Sequence, residues 1–469
     1  MNEIKTQNNI VHISEFNKRI ADIVLNEPVP FIYERLGEKY KYFLIDEFQD
    51  TSVLQWHNLL PLIDNSLAED NFNMLVGDGK QAIYRWRNGE VEQFAKLPEI
   101  YKKENNPFIY EREQNLMRNY NSEELKKNYR SKAEIVDFNN KFFKVVASLI
   151  KPPFDSIYEN LEQEFETNNT GGYVNIDFID KKNAEDSFEE INFKKIKEII
   201  LELQQQNFNW GDIAILCRKN KEASNIARFL LNENIDVISS ESLLLSSSHK
   251  LNFIIALIKY LLDPSDNIQK THILNFLKQN NQESFRDKFF ISKLRNLQVF
   301  DLCEELIRLF GLNSKPDPYI QFFLDAVLKY TIENNSGISD FIDWWEEKKD
   351  KLSIIVPEGI NAVNILTIHK AKGLEFKAVI IPFCNWLIDH NPHHTNILWC
   401  KPDVEPFNKL ELIPVKYSST LSETIFYKEY FTEKLHAYID NLNLLYVAFT
   451  RAKDALYTFS PLSRQSREA

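Results

Sequence analysis

The 469 residues include 43% hydrophobic and 13% aromatic side chains, among them 34 Phe, and only 11 Gly. That apolar content can offset the entropy of ordering the chain, which excludes an intrinsically disordered protein, and the length implies two or three globular domains. A net charge of −12, from 68 acidic and 56 basic residues, excludes a chain that coats nucleic acid by bulk charge but leaves room for a local basic groove.

Taken in chain order, residues 14–26 place Phe16, Ile20, Ile23 and Val24 on one face and predict a helix that stops before Pro28 and Pro30. Tyr42-Phe43-Leu44-Ile45 is an apolar run ending in Asp46-Glu47, and Asn73-Met74-Leu75-Val76 is a second, ending in Gly77-Asp78-Gly79. Both predict buried parallel strands. The alternation Tyr173 to Phe178 predicts a strand, Ile191 to Leu203 a helix, Asp212 to Leu216 a buried strand, Asn220 to Leu231 a helix and Ile235 to Ile238 a strand. Strand and helix thus alternate as in a parallel α/β sheet. Over about 250–355 strand signals give way to helices such as Leu251 to Leu262 and Gln321 to Tyr330, which predicts an all-helical insertion. Strands resume at Val363 to Thr367 and Ala378 to Ile381. A long helix from Leu421 to Phe449 then leads to a last strand at Ala455-Leu456-Tyr457.

Cys217, Cys303, Cys384 and Cys400 form no CxxC pair, so neither a zinc site nor a disulfide framework is expected. The longest mostly apolar run, Ala378 to Ile388, is too short to span a bilayer, and the N-terminus has no leader-like apolar core. The expectation is a cytoplasmic protein with no membrane partner. His390, His393 and His394 cluster without cysteines at ligand spacing and with Asp389 as the one close carboxylate, so a metal site there is rejected. Trp344-Trp345 reads as helix packing.

The chemistry concentrates elsewhere. Adjacent carboxylates at the carboxyl end of a buried strand stand where open α/β sheets bind ligands. One can hold Mg²⁺ across nucleotide phosphates while the other polarises an attacking water. Asp46-Glu47-Phe48-Gln49-Asp50-Thr51 resembles the Walker-B-type motif of superfamily 1 helicases of the UvrD/Rep/RecB family. Val76-Gly77-Asp78-Gly79-Lys80-Gln81-Ala82-Ile83-Tyr84-Arg85-Trp86-Arg87 resembles the third motif and Asn128-Tyr129-Arg130-Ser131 the fourth. Leu366 to Phe376 (LTIHKAKGLEF) resembles the fifth, and Leu445 to Lys453 (LYVAFTRAK) the sixth. Five motifs in the family's order make coincidence implausible. The fifth and sixth lie nearer the AddA/RecB helicase–nuclease branch.

The resemblance implies an α/β fold of RecA-like parallel-sheet motor domains, the first incomplete and the second complete, with the helical insertion in the second. The expected divisions are 1–120 for the first motor domain, 121–262 and 356–469 for the two segments of the second, and 263–355 for the insertion. It implies ATP and Mg²⁺ as cofactors, with Asp46 the metal ligand and Glu47 the water-activating base. Gln81 is implied as γ-phosphate sensor, Arg130 and Arg451 as arginine fingers, and Tyr129 and Glu375 as nucleotide contacts. Tyr84, Trp86, Arg87, Thr367 and His369 are implied DNA contacts, while Lys370 and Lys372 add general positive charge. A core position for Trp86 and salt-bridge roles for Arg130 and Arg451 are the alternatives.

One part is missing from the string: no Gly-x-x-x-x-Gly-Lys-[Ser/Thr] phosphate loop occurs. A fragment of a longer protein and a natural short form both account for that, and the fragment is preferred. No carboxylate-lysine nuclease cluster is visible. The implied function is a 3′–5′ DNA helicase motor of recombination or repair, acting on single-stranded and duplex DNA beside a second subunit of a helicase–nuclease complex, and inactive alone. A non-catalytic DNA- or partner-binding subunit is the alternative.

Overall fold

The computed structural model describes residues 11, 14–26, 33, 36–37, 39–103, 107–150, 155–158, 161–180, 187–239, 244–279, 291–313, 317–334, 337–349, 351–352, 361–392 and 394–462. Helix α1 (Ser14–Asn26) fills the first amphipathic stretch. Strand β1 (Leu44–Ile45) pairs in parallel with β2 (Met74–Leu75), and helix α2 (Val53–Ala68) makes the crossover between them. Ser52 opens α2 with a full capping box, accepting from the Gln55 amide while the Gln55 side chain accepts from its own. The parallel pairing brings the carboxyl ends of β1 and β2 side by side, so Asp46-Glu47 and Gly77-Asp78 emerge together.

Burial of these two strands is one-sided, contrary to the sequence expectation. Phe43, Ile45 and Leu75 pack on a cluster of Phe48, Trp56, Leu60, Ile63, Ile100 and Ile109. Leu44 and Met74, on the other face, are 63% and 42% exposed. An apolar run announces that a strand can be covered on both faces, but here no layer among the described residues covers the second.

The chain continues through α3 (Pro107–Asn119), β3 (Lys127–Asn128), α4 (Ala133–Ala147) and β4 (Glu164–Phe165), with β3 and β4 parallel. Next come β5 (Tyr173–Ile179), α5 (Phe188–Gln205), β6 (Ile213–Cys217), α6 (Asn220–Asn232) and β7 (Val237–Ser239). The helical stretch holds α7 (His249–Leu262), α8 (Asn267–Gln279), α9 (Val299–Leu309), α10 (Pro318–Glu333) and α11 (Ile338–Lys348). The last elements are β8 (Val363–Thr367), β9 (Phe376–Ile381), the antiparallel hairpin β10 (Ile397–Cys400) and β11 (Ile413–Lys416), α12 (Tyr427–Phe449) and β12 (Ala452–Pro461). A six-stranded sheet has the order β5-β12-β9-β6-β8-β7, with β6–β8 and β7–β8 parallel, so the chain is an α/β protein.

Two compact units result. The first joins Met1–Asp177, Ile368–Val379 and Cys384–Ser460, and the second joins Phe178–Thr367, Ile380–Phe383 and Pro461–Ala469. In the second, β6 is buried at all five positions, as a strand covered on both faces must be. The helices α7 to α11 share one core in which Trp345 meets Phe323 edge-on at 5.4 Å and Trp344 lies 4.9 Å from Tyr330. The paired tryptophans are packing residues. No helix among the described residues is long and apolar enough to cross a membrane.

Candidate nucleotide and nucleic-acid sites

The first compact unit gathers most of the candidate residues. Asp46 is exposed, and one carboxylate oxygen accepts the Glu47 amide at 2.8 Å. Its other oxygen has no partner among the described residues and is free to hold a cation. Glu47 adopts a left-handed backbone (φ 52°, ψ 38°), unusual for a residue with a side chain. This bend turns its carboxylate back toward Gln49 Nε2, 2.5 Å away. Gln49 is 1% exposed, and its Oε1 accepts the Asp78 amide at 3.1 Å. A side chain at Gly77 would put a Cβ 2.7 Å from that oxygen, so the close approach requires glycine.

Asp78 continues the chain of contacts. Its Oδ1 takes the Lys80 amide, and its Oδ2 accepts from Gln81 Nε2 at 3.0 Å. Gln81 Oε1 in turn accepts from Arg451 Nη2 at 3.3 Å. Arg451 is 2% exposed and also donates to the carbonyls of Val447 and Leu374 at 2.9 and 3.1 Å. Burial, with the charge of Arg130 adding to it, lowers this guanidinium to about 10, so it stays cationic at neutral pH. Arg130 donates to Glu375 at 3.0 Å and to the Thr450 carbonyl at 3.2 Å. Glu375 also pairs with Lys453 at 2.9 Å, and that hydrogen bond, with Arg130 helping, holds its carboxyl below the usual range.

These side chains line an open cavity of about 400 Å³ bounded by Gln81, Tyr129, Arg130, Glu375, Tyr446 and Arg451. Tyr129 is 71% exposed at its rim, available to stack on a flat ring. Three cations, Arg130, Arg451 and Lys453, meet one carboxylate there, a balance that fits a polyphosphate. The salt-bridge alternative is realised for Arg130, which pairs with Glu375, whereas Arg451 bonds only carbonyl, amide and hydroxyl oxygens among the described residues.

A second group forms around the turn Arg85–Arg87. Trp86 is 64% exposed, so it is not a core residue. Its ring stands 6.2 Å from His369 at 80° and 6.1 Å from Tyr84, and the Arg87 guanidinium lies 4.5 Å above it. Tyr84 donates its hydroxyl to the His369 carbonyl at 3.1 Å. Rings and a guanidinium open to water make a platform on which bases can stack. Thr367 is not part of it: it ends β8, is 6% exposed, and belongs to the other compact unit.

Two residues depart from their sequence reading. Lys372 is not general surface charge: its side chain is 6% exposed, its ammonium lies 3.1 Å from Glu47 Oε2 and 2.9 Å from the Gln81 carbonyl, and it pairs with Asp50. Burial is the main reason the Asp50 carboxyl is raised, with the Lys372 hydrogen bond opposing. Arg85, part of the aromatic-basic string, turns inward and binds Glu433 at 2.9 and 3.0 Å and Asp440 at 2.7 Å. His390 adds a 2.7 Å hydrogen bond to Glu433, while His393 lies outside the described residues.

Sequence reasoning missed Asn443, fully buried in α12, whose amide donates to the carbonyls of Gly79 and Ala82 at 3.0 and 2.9 Å while its oxygen accepts from Tyr158. A lone asparagine between Leu442 and Leu444 on an apolar helix was the available signal.

Residues 1–102 match the model of the UvrD/REP helicase N-terminal domain, and residues 124–310 and 319–461 match that of the UvrD-like helicase C-terminal domain. The chain belongs to the UvrD-like helicase family. Among relatives of this family, a probable DNA helicase II homolog of Mycoplasma capricolum is 24% identical over 91% of this chain and 56% of its own length. The RecB subunit of a RecBCD enzyme from Buchnera aphidicola is 28% identical over 89% of this chain and 37% of its own. An ATP-dependent helicase/nuclease chain from Clostridium beijerinckii is 26% identical over 89% and 40%. The chain spans about half the length of the curated relatives it matches. The UvrD-like motifs expected from sequence thus belong to a chain of that family.

Proposed function

We propose that this chain is part of an ATP-dependent 3′–5′ DNA helicase motor serving recombination or repair, within a helicase–nuclease of more than one subunit. The carrying observation is the continuous bonded path Glu47–Gln49–Asp78–Gln81–Arg451, which links a carboxylate fit for water activation to a buried cation facing the nucleotide cavity. Relatives named as ATP-dependent helicases support the same reading.

In this reading Asp46 holds a Mg²⁺ ion, which when bound would neutralise phosphate charge. Glu47 orients the attacking water and takes its proton, with Lys372 and Gln49 fixing the carboxylate. Arg130 and Arg451 stabilise charge gathering on the transferred phosphoryl group, and Gln81 reports its presence. Tyr129 stacks on the base and Glu375 contacts the nucleotide. Tyr84, Trp86, Arg87 and His369 track single-stranded DNA, and duplex DNA is the substrate to be unwound.

The sequence holds no phosphate loop, so nucleotide affinity of the chain by itself is weak. That absence favours a second reading, a non-catalytic DNA- or partner-binding subunit. ATP hydrolysis stimulated by single-stranded DNA separates the two, measured on the chain alone and together with a polypeptide carrying a phosphate loop. Hydrolysis abolished by Glu47→Gln supports the motor; none in either preparation leaves the binding subunit.

A further inference from the structure

Beyond the Trp86 platform the first unit has a larger open cavity, of about 920 Å³, that none of the family motifs accounts for by itself. Its lining includes Arg87 and Asn88 of the turn and Ile397, Leu398, Trp399 and Cys400 of β10, one strand of the hairpin β10–β11. The hairpin register pairs Ile397 with Lys416 and Trp399 with Pro414, and all four are exposed, whereas Leu398, Cys400, Ile413 and Val415 face inward. Cys400 is fully buried and the base of the hairpin is closed by Tyr417 donating its amide to the Asn396 carbonyl at 2.8 Å. The inner face anchors the hairpin, and Trp399 is held out at 67% exposure on a strand rather than on a floppy loop.

Charge decides what such a lining can meet. Of the three carboxylates lining the cavity, Glu433 is taken by Arg85 and His390, and Glu90 pairs with Lys102 at 3.3 Å. That leaves Glu429 against Lys18, Arg87 and Lys428, none of which has a carboxylate partner among the described residues. A cavity lined by an exposed indole, a guanidinium and ammonium groups without carboxylate partners has the composition that takes a single strand by base stacking and phosphate contact. Arg87 belongs to both places: it covers the Trp86 ring at 4.5 Å and lines this cavity.

We infer that Trp399 is a second stacking residue for single-stranded nucleic acid, and that the strand passes from the Trp86 platform over Arg87 into the cavity against the hairpin. The inference rests on the reading of Trp86 as a nucleic-acid contact. Its test is the affinity of the full chain for fluorescently labelled oligothymidylates, followed by anisotropy. One aromatic stacking contact is worth about 1–3 kcal/mol, so Trp399→Ala weakens binding of strands of about 16 nucleotides roughly tenfold or more. Trp399→Phe keeps most of it, which with an unchanged melting temperature separates stacking from misfolding. Photocrosslinking from halogenated uracil in the strand labels Trp399 in the parent chain.

Unchanged affinity in Trp399→Ala with a loss in Trp86→Ala overturns the second site and leaves the platform standing. Unchanged affinity in both overturns the platform as well. Unchanged affinity together with self-association of the parent that Trp399→Ala abolishes, seen by sedimentation, overturns the inference and makes the hairpin face a contact between copies of this chain.

Discussion

Lys372 Nζ lies 3.1 Å from Glu47 Oε2, tying the segment that carries His369 to the carboxylate proposed to activate water. Lys372→Met leaves Asp50 and Glu47 without their cation, and the loss of a hydrogen-bonded charge partner costs about 1–3 kcal/mol. Urea unfolding of Lys372→Met, Asp50→Asn and the double variant measures this. Because Asp50 is the buried partner, the double variant recovers part of the loss, and strictly additive effects would show that the ion pair contributes nothing.

Arg130 and Arg451 differ in how the protein holds them. Arg451 is 2% exposed and bonded to two backbone carbonyls, so Arg451→Ala lowers stability as well as nucleotide binding. Arg130, with a side chain 31% exposed, bonds Glu375 and one carbonyl, so Arg130→Ala weakens binding of a fluorescent ATP analogue several-fold with a small change in melting temperature. Equal loss of stability in the two would contradict this difference.

Trp86→Ala removes an exposed ring, and single-strand binding falls roughly tenfold or more, as expected for about 1–3 kcal/mol per stacked base, while the fold is retained. Arg87→Ala acts on a phosphate contact as well, so the slope of log affinity against log salt becomes shallower by about 0.7. An unaltered slope would assign Arg87 to ring packing alone.

Acid exposes the Arg85 network. Burial opposes the ionisation of Glu433, but hydrogen bonds from His390 and Arg85 prevail and bring its carboxyl from 4.5 down to about 2. A carboxyl lowered in the folded state stabilises above its ordinary value, and that contribution is lost as pH falls from about 4.5 toward about 2. Asp440 beside it is raised by burial and works in the opposite sense. Glu433→Gln therefore gives a shallower fall of unfolding free energy across that window, measured by urea titration at stepped pH. A parallel fall would exclude Glu433 as its source.

Much of this molecule was readable from its residues, and the exceptions share a cause. Strands such as Ile213–Cys217 announce themselves because both faces are apolar, and the motif residues because their chemistry is specific. What a string cannot display is which way a polar side chain turns. Lys372 reads as one charge in a basic stretch, yet it is drawn inward by two carboxylates more than 300 positions earlier in the chain. Arg85 and Arg87 look equivalent, but a tight turn sends one to Glu433 and Asp440 and the other over Trp86. The hairpin Ile397–Cys400 and Ile413–Lys416 was missed because its strands are short and one includes Pro414, which usually argues against a strand.

The grip of Asn443 on the carbonyls of Gly79 and Ala82 has a mechanical meaning. A single amide spans the start of the loop that presents Gln81, and it sits on α12, the helix whose end delivers Arg451. Gln81 and Arg451 are thus geared to one shaft. When that helix shifts, both groups travel with it, and the loop cannot swing open alone without breaking both hydrogen bonds from the Asn443 amide. Asn443→Leu, close to the original in volume, would uncouple them, leaving each residue in the chain while removing the linkage that makes them arrive together.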